Sequence, residues 1–319
     1  MTPSPRRRFL TTGTESTLGR FVASAGLALL LLLTPSCVAH HRGSEGERTQ
    51  ERVVLHLQDY QANLRLILVT IAGTERPFIF DTGGGVSLLS PETAREVGCQ
   101  PYSRMTGYRM HGERVDFARC QPISVQVGGA PVHIADVGLF DVGSLLPPEW
   151  PKVAGVIGLN AFDGRTVTLD LGVNELVLES EQSAAERTRT LQAGPLRVRR
   201  ELEAGAVDLF LPIETPRGPI WMLLDSGNVS GAVLDHHAAE ALGLDAPERK
   251  PRELTLHVVG GETFTEPVGL ADLIVEGNLG EHWMRQRALT VDLRTARIWV
   301  APSRAARRAP PPTAPTAPR

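Results

Sequence analysis

Two short stretches of this chain carry residues that could do acid–base chemistry together. They are Phe78-Ile79-Phe80-Asp81-Thr82-Gly83 and Met222-Leu223-Leu224-Asp225-Ser226-Gly227. In each, apolar residues run into an aspartate, a small hydroxyl residue and a glycine. A short apolar run ended by glycine reads as a buried strand meeting a tight turn, which leaves a carboxylate at the strand end. One such aspartate is ordinarily a turn residue. Two, from the halves of a duplicated chain, can face each other across a pseudo-twofold axis. Carboxylates about 3 Å apart cannot both ionise, so they share one proton. The ionised member can then take a proton from a water held between them, while the protonated member donates to a carbonyl oxygen. That chemistry needs neither a covalent intermediate nor a metal, and no cofactor is expected. Thr82 and Ser226 would hydrogen-bond across the junction, and Gly83 and Gly227 would let backbone N–H groups reach the carboxylates.

The elements that must position these residues also come in pairs. After the first turn, Ser90-Pro91 opens a short helix and Gly98 stops it; after the second, Asp235 opens one and Gly243 stops it. Gly155-Val156-Ile157-Gly158 leads into Thr166–Leu171, and Gly277-Asn278-Leu279-Gly280 leads into Ala288–Leu293 with the same overall spacing. This is an internal duplication of a β-rich unit. Residues 63–71 and 77–80 read as the hairpin that delivers Asp81, and 208–213 and 220–224 as the one that delivers Asp225. The interval from Asp81 to Gly158 is the longer of the two. The excess corresponds to a hairpin turning at Gly128-Gly129 and a Pro-rich loop around Pro147, Pro148 and Pro151.

On these motifs the chain resembles the aspartic peptidases. It is most similar to bacterial, retropepsin-like or pepsin-like members with two small lobes fused in one chain, over roughly residues 55–300. The resemblance implies a mainly β, two-lobed acid-protease fold with short helices. It makes Asp81 and Asp225 the catalytic pair, with Thr82, Gly83, Ser226 and Gly227 in support. The hairpin from Tyr102 to Cys120 would then be a flap over the cleft, with Tyr108 its candidate substrate-facing side chain. The implied activity is that of an aspartic endopeptidase acting on polypeptides, monomeric because both lobes lie in one chain. Two departures stand out. Gly84 and Asn228 follow the triplets where the family more often carries Ala, Ser or Thr, and Asn278 puts a polar residue in the second glycine motif.

Two other readings compete. An actin-like or sugar-kinase-like ATPase would also carry two Asp-x-Gly turns, and Asp81-Thr82-Gly83-Gly84-Gly85 looks like a phosphate-binding loop. The duplicated glycine blocks have no role there, and few long helical patterns are present. A non-catalytic, peptide-binding lipoprotein that kept the fold is the other alternative.

The ends set the context. The 319 residues carry a formal net charge of −3, which gives no reason to expect nucleic acid. Arg6-Arg7-Arg8 followed by the apolar stretch Phe21–Thr34 reads as a signal peptide over 1–36. Its start resembles a twin-arginine export signal. Cys37, after Pro35-Ser36, resembles a lipidation site, with a flexible tether over 37–50. The expected location is the periplasm or cell envelope, with the protein held at a membrane by the lipid. An N-terminal lobe over 51–185, a linker over 186–199, a C-terminal lobe over 200–302 and a disordered Pro/Ala-rich tail over 303–319 complete the organisation. Cys99 and Cys120 could be bridged in an oxidising compartment or remain buried thiols. His40-His41 and His236-His237 lack metal-ligand company.

Overall fold

The structure is a computed structural model that describes residues 51–201, 205–244 and 251–308. The expected signal peptide, the tether, Cys37 and the tail from Ala309 onward lie outside the described residues. The described chain is mainly β, with a few short helices.

Each aspartate is delivered by the same device. Arg65–Ile71 and Thr74–Phe80 form an antiparallel hairpin, and Val207–Ile213 and Ile220–Leu224 form its counterpart. Both are rich in β-branched and leucyl residues, and both end in side chains fully withdrawn from water, Phe80 and Leu224 at 0% exposure. A short strand then runs parallel to each delivering strand. Gly155–Ile157 pairs with Thr74–Phe80, and Gly277–Leu279 with Ile220–Leu224. These insertions anchor the two aspartate turns from below: Asp81 N–H donates to Ile157 O at 3.1 Å, and Asp225 N–H to Leu279 O at 3.0 Å.

The flanking elements repeat as well. Ser90 caps the helix Pro91–Glu96 by accepting from Thr93 N–H, and Asp235 caps His236–Ala241 by accepting from His237 N–H. Gly98 and Gly243, which follow these helices, sit at φ +67° and +75°, where a side chain would be strained. The two sheets are not equal. The hairpin Ile123–Val127 with Ala130–Ile134 extends the first beside Arg65–Ile71. On the second, that edge is taken by Arg197–Arg200 instead.

A third, six-stranded sheet belongs to both halves. Thr166–Asp170 pairs antiparallel with Arg287–Asp292, so that Thr168 stands opposite Thr290. These are equivalent residues of the duplication, and their hydroxyls meet at 2.9 Å, 122 residues apart in sequence. A residue paired with its own counterpart marks the pseudo-twofold axis. Buried polar ties reinforce the junction. Arg65 donates to Glu281 Oε1 at 3.1 Å, with both side chains almost fully buried.

Two expectations about organisation need correction. The linker region 186–199 is structured. It begins inside the helix Glu181–Thr188, which a reciprocal Ser180–Ser183 cap holds at its start, and it includes the strand Gly194–Pro195 on the shared sheet and most of Arg197–Arg200 on the second. The tail does not begin at 303. Ser303 is fully buried and donates to Asp170 Oδ1 at 2.6 Å, with a helix over Arg304–Arg308. The shared sheet interleaves strands from both halves.

Cys99 and Cys120 form a disulfide. It ties the end of the first helix to the last residue of the hairpin Tyr102–Tyr108 with Arg114–Cys120. With the two cysteines 21 positions apart in sequence, replacing both by serine is expected to cost about 3 kcal/mol of unfolding free energy, read from the denaturant midpoint.

Candidate active site

The turns after the two delivering strands meet at the pseudo-twofold axis and lock reciprocally. Thr82 N–H donates to Ser226 Oγ at 3.0 Å, and Ser226 N–H donates to Thr82 Oγ1 at 2.9 Å. Each hydroxyl then donates onward to the opposite strand, Thr82 to Leu224 O at 2.7 Å and Ser226 to Phe80 O at 3.3 Å. Both side chains are 1% exposed. Four hydrogen bonds sheltered from water fix the relative placement of two loops 144 residues apart.

The lock brings the carboxyls of Asp81 and Asp225 close together, each seated against the glycine of the opposite turn. Gly83 N–H donates to Asp81 Oδ1 at 2.8 Å and Gly227 N–H to Asp225 Oδ1 at 2.8 Å. The glycines have a second role that their sequence position did not disclose. A Cβ on Gly83 would overlap the Asp225 carboxyl, and one on Gly227 would lie 2.9 Å from the Asp81 oxygens. Each glycine makes room for the other half's carboxylate.

The two carboxyls have unequal surroundings. Burial, and then the neighbouring Asp225 charge, push the Asp81 carboxyl up to about 7, against the opposing pull of the Gly83 and Gly84 N–H groups. Asp225 is surrounded more generously. Besides Gly227, it accepts from Asn228 N–H at 3.1 Å on Oδ1 and from the Asn278 side-chain amide at 2.7 Å on Oδ2. Asn228 and Asn278, which looked like departures, both contact this carboxylate. A third carboxyl, Asp208, lies close by. It is buried, its carboxyl is raised chiefly by that burial, and it is paired with Arg199 at 2.6 Å.

The later glycines support the loops by their lack of a side chain. A Cβ on Gly158 would come 2.9 Å from backbone atoms of Gly85 and Val86, and one on Gly280 would strike the Asn228 and Gly231 carbonyls. Gly280→Ala is expected to cost about 1–3 kcal/mol in stability, read by thermal or denaturant unfolding, because backbone rather than a flexible side chain must yield.

The hairpin expected to be a flap, Tyr102–Tyr108 with Arg114–Cys120, reaches across to the second half. Ile274 N–H donates to Met110 O at 3.1 Å, and the His111 ring meets Asp272 O at 3.1 Å. Thr106, Arg104 and Arg114 converge on Asp116 along the hairpin, and the Thr106 hydroxyl foremost, then the arginines, hold its carboxyl well below the usual range. Tyr108 is 60% exposed and stands opposite Arg114 in the ladder. A cavity of about 740 Å³ adjoins the flap contact through Ile274; Phe210 and Trp221 line it, and Arg197 stacks on Trp221 at 3.7 Å.

No protein-family model matches the chain, and no curated protein matches it. Solved structures do match. The basic 7S globulin from soybean is 11% identical and covers 79% of this chain and 94% of its own, with a TM-score of 0.50. Edgp is 12% identical, with 82% and 97% covered and a TM-score of 0.53. Conglutin gamma, a basic 7S globulin from lupine seeds, is 11% identical, with 78% and 94% covered and a TM-score of 0.49. The soybean globulin and edgp establish a shared fold and nothing further at such identity. These likenesses overturn the assignment to bacterial two-lobed aspartic peptidases, because the similar structures are a soybean globulin and edgp. The physical reason is that two six-residue motifs report local turn geometry, and fold and motif together do not fix a family.

Proposed function

We propose that the chain is an aspartic-type endopeptidase whose two halves form the lobes of an acid-protease arrangement. The observation that carries this reading is the pairing of Asp81 with Asp225 under the Thr82–Ser226 lock. The proposal rests on that geometry, independent of any family. A water held between the carboxyls loses a proton to the ionised member as its oxygen attacks the peptide carbonyl carbon. The protonated member donates to the carbonyl oxygen, giving a neutral tetrahedral diol. Collapse returns a proton to the departing amine nitrogen and restores the singly protonated pair. The flap, reaching from the first half to the second, is suited to cover an extended polypeptide.

The test is a digest of a broad peptide library by the exported form of the protein across pH 3–9, with Asp81→Asn as control. Cleavage by the wild type and not by the variant supports the reading. Binding without cleavage at every pH would instead favour a non-catalytic peptide-binding protein. The pH profile has an expected shape. Because the Asp81 carboxyl is raised to about 7, the singly protonated pair persists into the neutral range. Activity is expected to survive at pH 6 and to fall through an alkaline limb near 7. A sharp loss already by pH 5 would contradict this.

The Cys99–Cys120 bridge supports an oxidising compartment, in keeping with export and with lipid anchoring at Cys37 in the cell envelope. Cys37→Ala is expected to move the protein from the membrane to the soluble exported fraction.

A further inference from the structure

Asn278 is completely buried, and its amide can point only one way. Its Nδ2 donates to Asp225 Oδ2 at 2.7 Å, and its Oδ1 accepts from Asn228 Nδ2 at 2.8 Å. The polarity of Asn228 is fixed in turn by the backbone. Its Oδ1 accepts from Ser230 N–H at 2.9 Å, and its Nδ2 also donates to Gly231 O at 2.7 Å. A backbone N–H can only donate and a carbonyl can only accept, so neither amide can flip without stranding two buried groups. The direction set at residues 230–231 is thereby transmitted through two side chains to one oxygen of the candidate dyad.

The first half has no such relay. The positions equivalent to Asn228 and Asn278 in the duplication are Gly84 and Val156. Neither has a side chain that can donate. An otherwise twofold arrangement is therefore made one-sided by two residues.

We propose that Asn228 and Asn278 are positioning residues that decide which aspartate carries the proton: they hold Asp225 as the charged base and leave Asp81 as the protonated acid. This rests on the peptidase reading for its catalytic meaning, though the placement of the proton does not. An amide N–H aimed at Oδ2 stabilises a carboxylate and opposes a hydroxyl hydrogen at that oxygen. Asp225 Oδ1 is already occupied by the Gly227 and Asn228 N–H groups. The shared proton is therefore donated from Asp81 toward Asp225. In the reaction, Asp225 would receive the water proton and Asp81 would protonate the carbonyl oxygen. The other charged groups around the pair are themselves paired: Asp208 with Arg199, and Glu281, next to Gly280, with Arg65.

Two measurements on the full chain test this. The first is a carbon-13 NMR titration of the aspartate carboxyl carbons of the wild type, assigned with Asp81→Asn and Asp225→Asn. The expected result is that the carbon titrating in the neutral range is that of Asp81. If it is that of Asp225, the proposal is overturned whether or not peptides are cleaved. The second is the pH profile of kcat/KM for Asn278→Val, which installs the residue found at the equivalent position of the first half. Loss of a charge-assisted hydrogen bond is expected to move the acid limb upward by about one pH unit and to lower kcat roughly tenfold, with KM little changed. An unchanged acid limb with kcat within twofold overturns the proposal. Should the valine variant not fold, the wild-type titration still decides. A wild type that cleaves nothing but holds its proton on Asp81 would sink the peptidase reading and leave the relay standing.

Discussion

Asp81→Asn and Asp225→Asn are each expected to reduce kcat/KM by at least about 10³-fold, because either change removes the one proton-sharing pair on which both acid and base depend. The double variant should be no worse than either single one, since residues acting as a unit are not additive. Folding should survive, because the amide is nearly isosteric with the carboxyl. Stability gives an independent check. The folded state holds the Asp81 proton up to about 7, whereas the unfolded chain releases it near 3.8. Between these values the folded state binds more protons, so stability falls as pH rises. Asp81→Asn lacks that titration. Its melting temperature should therefore exceed the wild type's at pH 8, with the gain shrinking toward pH 5. If either asparagine variant retains near-full turnover, the pair is not catalytic.

Gly83→Ala is expected to be nearly as damaging, for a steric reason. The new methyl would overlap the carboxyl of Asp225, which Gly227, Asn228 and Asn278 hold in place with three hydrogen bonds. Either the Thr82–Ser226 lock opens or Asp225 turns away. A displacement of about 1 Å is enough to cost 10²-fold in rate. The measurement is kcat on a cleaved peptide, with a thermal melt to show that the fold persists. Activity within threefold of wild type would mean that the two turns do not approach as closely as described.

Much of the site was legible because the chain states it twice. The paired Asp-hydroxyl-Gly turns, the capped helices after them and the later glycines are local signals, and the second copy makes chance agreement improbable. Other features depend on direction or distance, which spacing does not encode. Asn278 could be seen as a polar intruder in a strand, but not that its amide faces Asp225. That orientation is set by Asn228 and by the backbone beyond it. The helix Glu181–Thr188 was missed because it buries no residue and so shows no apolar stripe. Its Ser180–Ser183 cap was the available cue. Ser303 looked like the start of a Pro/Ala-rich tail, but it is tied down by bonds to Gln286 O and to Asp170, far back in the chain. The family likeness failed for the opposite reason: strong local signals were extended to an ancestry that they do not specify.

The shared sheet, in which Thr168 meets Thr290, also dictates when function can arise during folding. The strand Val53–His56 pairs with Glu175–Leu178, and Thr166–Asp170 must wait for Arg287–Asp292. The four hydrogen bonds that lock the two aspartate turns together join residues more than a hundred positions apart. Such high contact order makes folding slow, because loop-closure entropy is lost before distant pairings compensate for it. Each half can form its hairpins early, yet a lone aspartate turn is chemically idle. Recovery of activity on refolding should therefore trail the burial of tryptophan fluorescence. If the pair cleaves peptides as proposed, no catalyst forms until almost all of the fold has formed, and a partly folded copy cannot digest its neighbours.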